Sequence, residues 1–323
     1  MIEEKLDDYA LGKSSGQKIK KIKAGIVGCG SMGQEIAILI AKAGLEVSFV
    51  EISEEKIQES LTSIEKTIDN IIERWGMTSG DKRSIMSRIS GSTNYDILSD
   101  CSIAIEAINT KKWVPNQPVR KEVFKNIEQV VSNDCIIASN ASTVVISDLS
   151  VVLDNPSRAI GVHFIAPTLK TEIIEINRCR NTSKATVEFT KKFAATIGKD
   201  VVEIMGSPGN ISTRIIVAMI NEACTLLMEG VAEVADIDTT MMQGYGLQFG
   251  PFALADRIGL DKLTKWMEGL YNEYGDVKYK TSPLIRRMVR AGMLGQKVGE
   301  GFYMYKPDGT RYSKSGPVRT LGH

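Results

Sequence analysis

Residues 22–53, IKAGIVGCGSMGQEIAILIAKAGLEVSFVEIS, change hydrophobic period twice. A short apolar run leads into Gly28-Cys29-Gly30-Ser31-Met32-Gly33, a long apolar-faced stretch follows, and after Gly44 the residues LEVSFVEI alternate. That pattern reads as strand, glycine turn, helix and second strand. A GxGxxG string alone also occurs in ordinary turns, but a preceding strand and a following helix give it a specific use. Gly28 permits the tight turn, Gly30 lets the backbone approach a pyrophosphate, and Gly33 allows close packing of helix on strand. Cys29, Ser31 and Met32 complete the expected cofactor turn, where the helix N-terminus offers free N–H groups and a positive dipole end to an anion. Glu51 closes the second strand where an acid meets the adenosine ribose. A carboxylate accepts from a free 2'-hydroxyl and repels a 2'-phosphate, so NAD is favoured over NADP, a preference that nearby Lys56 weakens.

The same alternation continues. Residues 54–75 read as a helix with Ile57, Leu61, Ile64, Ile68 and Ile71 or Ile72 on one face. Cys101 to Ile108 and Asp134 to Ser142 read as buried strands separated by the helical RKEVFKNIEQVV. GVHFI, TEIIEIN and DVVEIM follow as strands, with a helix between the last two. These features predict an α/β fold: an N-terminal Rossmann-type, doubly wound, mostly parallel sheet with helices on both faces, followed by an all-α C-terminal domain. Residues 211–235 are expected to form one long helix, with more helices near 257–272 and 282–293. The expected division is an extension over 1–21, a nucleotide-binding domain over 22–206 and a helical domain over 207–323.

Forty basic and thirty-nine acidic side chains nearly cancel, which argues against nucleic acid or an anionic membrane surface as the main partner. No apolar run is long enough to suggest a membrane span. The five cysteines are odd in number and widely spaced, with no CxxC or Cys/His cluster, so no disulfide framework or metal site is indicated and a cytoplasmic location is expected.

Only two histidines occur, and His323 is the last residue, so His163 is the one internal imidazole. It ends a predicted strand, and Glu175 lies on the next strand of a hairpin-like pair. A carboxylate on one ring nitrogen would fix the tautomer and leave the other nitrogen as base. A histidine merely satisfied within a packed strand is the other reading, and spacing alone does not decide between them.

Taken together, GxGxMG, SNAST at 139–143, GVHFIAP at 161–167, IIEI at 173–176, PGNISTR at 208–214, GPFALADRIGLD at 250–261 and GQKVGEGFYMY at 295–305 resemble the L-3-hydroxyacyl-CoA dehydrogenases in order and spacing. The resemblance implies NAD as cofactor, a 3-hydroxyacyl thioester as substrate, fatty-acid metabolism as context and a homodimer. It places the catalytic histidine on His163, its partner on Glu175 and the serine that meets the substrate hydroxyl on Ser142. Arg120 and Lys297 fall on basic positions near the cofactor, and Thr67 and Arg74 on positions that contact the CoA nucleotide. A loop cap remains the other reading for Ser142, and solvated surface positions for Lys297, Thr67 and Arg74.

Three departures touch the expected substrate site. Ala166 and Thr213 each stand where the family has an asparagine, and Asn210 where it has an aromatic. The segment after Ala107, which contains Trp113, is longer than usual. Losing two amides changes which acyl group can be held. An acyl group on a carrier protein, a free hydroxy acid, and a dinucleotide-binding protein without turnover therefore stand as the alternatives.

Overall fold

The computed structural model describes residues 22–73, 76–109 and 116–312. The expected 1–21 extension, Arg74 and Trp113 lie outside the described residues.

Eight strands form one sheet: β1 (Lys23–Val27), β2 (Glu46–Val50), β3 (Ile89–Ser92), β4 (Ile103–Glu106), β5 (Ile136–Ser139), β6 (Ala159–Phe164), β7 (Ile173–Arg178) and β8 (Asp200–Met205). Their order is β3-β2-β1-β4-β5-β6-β7-β8. The first six run parallel, β7 is antiparallel to β6, and β8 is parallel to β7. The order reverses between β1 and β4, which opens a crevice at the carboxyl ends of those strands, where doubly wound sheets bind ligands.

Helices cover both faces. α1 (Ser31–Lys42), α2 (Glu54–Glu73) and α3 (Ser79–Met86) cover one face, while α4 (Asn116–Val130) and α5 (Ile146–Ser150) cover the other. α6 (Lys184–Thr196) joins the first face through Val187, Phe193 and Ala194. On α2 the buried stripe is Ile57, Ser60, Ile64 and Ile68, so a serine occupies a place that the periodicity alone would give to an apolar residue.

Three of these elements escape a periodicity reading. α3 is a short helix held by a Thr78–Asp81 capping box. α5 is only one turn longer than a bend, and β3 is a partly exposed edge strand of sequence ISGS. Gly91 within it is required, because an added Cβ would lie 2.5 Å from the Phe49 ring.

A second core belongs to α7 (Ser212–Met228), α8 (Val234–Thr239), α9 (Pro251–Ile258), α10 (Leu260–Tyr274) and α11 (Pro283–Arg290). The helix expected over 211–235 is two helices. Val217, Ile220, Cys224 and Leu227 form one buried stripe, and Gly230, at φ 69°, then ends the helical path. The helix expected near 257 starts at Leu260 because Gly259 has φ 93°. α9 is not singled out by periodicity, although Pro251 at its first position marks a helix start, and its Phe252 and Ala253 amides are capped by the carboxylate of Asp238 on another helix. Among the described residues no helix is long and apolar enough to cross a membrane.

Candidate active site

The glycine turn lies at the crevice. Gly28 has φ 91°, and a Cβ there would stand 2.8 Å from the Ile108 backbone beyond β4. A Cβ on Gly33 would lie 2.2 Å from the Gly28 carbonyl oxygen, so helix and turn touch only because residue 33 is glycine. Gly30 is different: nothing lies within 4 Å of where its Cβ would be, which leaves space against the N-terminus of α1. The first turn of α1 carries no acidic residue to compete for an anion. Open space at Gly30, beside the exposed Ser31 and the half-buried Met32, fits a dinucleotide pyrophosphate.

Glu51 follows β2 and accepts from the Cys29 amide at 2.6 Å and the Ile52 amide at 3.1 Å. Those two bonds fix the carboxylate beside the turn and leave acceptor capacity for a ribose hydroxyl. Cys29 itself is buried, and burial pushes its thiol up to about 12, so it lines the turn as a neutral group. Lys56 pairs with Glu59, so its charge is matched on its own helix.

The acid/base candidates meet in the antiparallel pair. His163 lies directly opposite Glu175 in the β6–β7 register, and its Nδ1 is 2.7 Å from Glu175 Oε2. Both are buried, at 7% and 2% exposure. Burial would raise the Glu175 carboxyl, but hydrogen bonds from His163 and from Ser212 outweigh it and hold the group below its ordinary range. An ionised Glu175 can only accept, so Nδ1 carries the hydrogen and Nε2 is left with its lone pair. Glu175 also accepts from the amides of Ile211 (3.1 Å) and Ser212 (2.9 Å) and from the Ser212 hydroxyl (2.8 Å). The start of α7 is thereby docked on the carboxylate that orients the imidazole.

Ser142 sits in the loop after β5. Its carbonyl accepts from the Gly209 amide at 2.7 Å, and among the described residues no partner holds its hydroxyl. The neighbouring Asn140 accepts from the Phe164 amide at 2.9 Å, tying this loop to the strand of His163. Helix α10 covers the loop closely, since a Cβ on Gly269 would lie 3.0 Å from Thr143. Ala166 is exposed three residues past His163, in a loop anchored by Thr168, whose amide donates to Glu35 of α1 at 2.6 Å. Thr213 is 1% exposed in the first turn of α7, and its hydroxyl has no partner there. Asn210, at φ 50°, accepts from the Asn177 side chain at 2.8 Å.

The remaining candidates are less central. Arg120 is at the correct end of the sheet, but it pairs with the fully buried Glu106 and donates to the Ile108 carbonyl at 2.9 Å, so its charge is balanced within the loop after β4. Lys297 pairs with Asp261 at 2.5 Å, half-exposed. Thr67 on α2 donates to the Ser63 carbonyl at 2.9 Å and joins none of the His163 contacts. Periodicity and spacing did not single out Glu106, Ser139, Ser60 or Ser212. Ser139 donates to Glu106 at 2.7 Å, and Ser60 donates to the Cys29 carbonyl at 2.9 Å. The signals available were a serine within an apolar stripe, at Ser60, and the places of Ser139 and Ser212 inside SNAST and PGNISTR.

Two sequence profiles match the chain. That of the 3-hydroxyacyl-CoA dehydrogenase NAD binding domain covers residues 23–207, and that of the 3-hydroxyacyl-CoA dehydrogenase C-terminal domain covers residues 209–305. A probable 3-hydroxybutyryl-CoA dehydrogenase of Deinococcus radiodurans is 37% identical over 284 residues, 88% of this chain and 100% of that protein. The 3-hydroxybutyryl-CoA dehydrogenase of Clostridioides difficile is 34% identical over 88% of this chain and 99% of its own length. The crystal structure of (S)-3-hydroxybutyryl-CoA dehydrogenase from Ralstonia eutropha superposes with a TM-score of 0.78 at 38% identity, covering 88% of this chain and 99% of that one.

Proposed function

The chain belongs to the 3-hydroxyacyl-CoA dehydrogenase family of NAD-dependent enzymes, and from that premise we propose that it interconverts a 3-hydroxyacyl thioester and the 3-ketoacyl thioester with His163 as acid/base. The observation that carries this reading is the buried His163–Glu175 hydrogen bond of 2.7 Å, which leaves the imidazole Nε2 free. NAD, when bound, supplies the hydride acceptor. Gly30 and the amides of Ser31 and Met32 would hold its pyrophosphate on the turn that Gly28 and Gly33 shape, and Glu51 would take a ribose hydroxyl.

Neutral His163 takes the proton of the 3-hydroxyl at Nε2, and Glu175 stabilises the imidazolium that results. In the reducing direction the same ring returns that proton. The unpartnered Ser142 hydroxyl donates to the substrate oxygen, and Ala166 and Thr213 stand at the two positions whose lost asparagines change which acyl group can be held. Ile211, just before α7, and Ile215 one turn along it are both exposed and apolar and suit a contact with a second copy, as a homodimer requires. Five buried free thiols suit a reducing, cytoplasmic setting.

A screen of 3-hydroxyacyl thioesters with NAD and with NADP, read by absorbance of the reduced nicotinamide, tests the reading. Turnover of a CoA thioester with NAD, at rates well above those with NADP, is the expected result. Equal turnover of the free hydroxy acid would instead support the second reading, a non-thioester substrate, which the two lost asparagines at Ala166 and Thr213 favour.

A further inference from the structure

Glu175 receives four donors, two on each oxygen. Oε1 accepts only backbone amides, those of Ile211 and Ser212. Oε2 accepts His163 Nδ1 and the Ser212 hydroxyl, at 2.7 and 2.8 Å. The amides are enough to dock the start of α7, whereas the hydroxyl is the group that reaches the oxygen used by the histidine. We propose that Ser212 is a positioning residue for the acid/base pair: its hydroxyl fixes Oε2 and shares that oxygen's charge, so that His163 is held in one orientation.

Carboxylate oxygens distribute their charge among their donors. With the hydroxyl removed, Oε2 serves the imidazole alone, which favours the protonated ring and leaves the carboxylate freer to rotate. The groups facing Glu175 are His163 from β6, the Ile211 amide and Ser212 at the start of α7, and the uncharged Val202 opposite it on β8. The ring is therefore the titratable neighbour on which the change falls. The rate consequence rests on the dehydrogenase reading above, and the structural consequence does not.

Ser212→Ala keeps both amides and so keeps the α7 anchor, while Ser212→Thr keeps the hydroxyl. In oxidation of 3-hydroxybutyryl-CoA, Ser212→Ala is expected to lower kcat about tenfold, to leave KM for the thioester and NAD within about twofold, and to move the acid limb of the rate profile to higher pH. Ser212→Thr should restore all three. Because the chain has two histidines, one of them terminal, the His163 ring can also be followed by NMR in the full-length protein without substrate. Its titration should move to higher pH in Ser212→Ala and return in Ser212→Thr. An unmoved ring titration in Ser212→Ala, or a Ser212→Thr variant that behaves like it, would overturn the positioning role. A wild-type chain inert toward thioesters, in which the ring titration still responds to Ser212→Ala, would instead sink the dehydrogenase reading and leave the positioning role standing.

Discussion

His163 and Glu175 face each other because a six-residue strand pairs antiparallel with its neighbour, and the start of α7 closes over the carboxylate and helps to bury their contact. Glu175→Gln removes the charge and nearly keeps the shape, and with its oxygen kept on Nδ1 its amide nitrogen faces the Ile211 and Ser212 amides that the carboxylate accepted. Glu175→Gln is expected to lower kcat by about 10- to 100-fold, since an amide can still accept from Nδ1 but stabilises an imidazolium poorly. The same substitution has a pH signature. A carboxyl held below its ordinary range contributes stability above the unfolded carboxylate range, and that contribution is lost as pH falls through the lowered folded value. Thermal melts of wild type and Glu175→Gln should thus converge as the solution becomes acidic, and parallel melting curves across that range would contradict the ionised state. The histidine was legible in the sequence because it is the one internal imidazole, and its partner because TEIIEI alternates. The contact of Ser212 with Glu175 was not legible, because its partner lies 37 positions earlier and no local pattern links the two.

The glycine turn makes opposite predictions for two residues of one motif. Gly33→Ala places a Cβ 2.2 Å from the Gly28 carbonyl oxygen, so α1 must move and stability should fall by about 1–3 kcal/mol. Gly30 has φ −69° and open space, so Gly30→Ala should change stability by no more than about 0.5 kcal/mol. Yet its methyl group occupies the place proposed for pyrophosphate, and NADH affinity, read by nicotinamide fluorescence, should fall at least about tenfold, equivalent to roughly 1.4 kcal/mol. A Gly30→Ala protein with intact NADH binding would remove the pyrophosphate from that position. The βαβ unit could be read from sequence because its strands are apolar and its turn is glycine-rich. For α9 only Pro251 at the first position was a local signal, because its side-chain cap comes from Asp238, fourteen residues before Phe252. The break between α7 and α8 depends on one glycine at positive φ, and an apolar period that continues on both sides of Gly230 conceals it.

Across the whole molecule, the two cores meet where chemistry is expected: α7 starts on Glu175, α10 covers the Ser142–Thr143 loop, and Lys265 of α10 reaches Asn109 beyond β4 at 3.2 Å. The division into sheet and helical parts was legible in the change of period after Gly206. Their docking was not, since it rests on contacts between residues far apart in sequence. The far side of the helical core is tied by a second buried network. Asp256 accepts from the amides of Phe302 and Tyr303, and the Tyr303 hydroxyl donates to Asp238 at 2.9 Å. Burial pushes the Asp256 carboxyl up to about 6 against those hydrogen bonds. A raised carboxyl adds stability fully below the unfolded value of about 3.9, and that gain is lost as pH rises through about 6. The melting temperature of wild type relative to Asp256→Asn should therefore decline between about pH 4 and 7, and a constant difference would show that folding does not raise the Asp256 carboxyl.

The central claim is that His163 moves the substrate proton while the glycine turn holds the dinucleotide independently of it. NADH oxidation with acetoacetyl-CoA, compared between wild type and His163→Ala at saturating NADH, tests this most directly. The account predicts turnover by the wild type and a loss of about a thousandfold or more in the variant, with NADH affinity unchanged. A variant that retains wild-type turnover would contradict it.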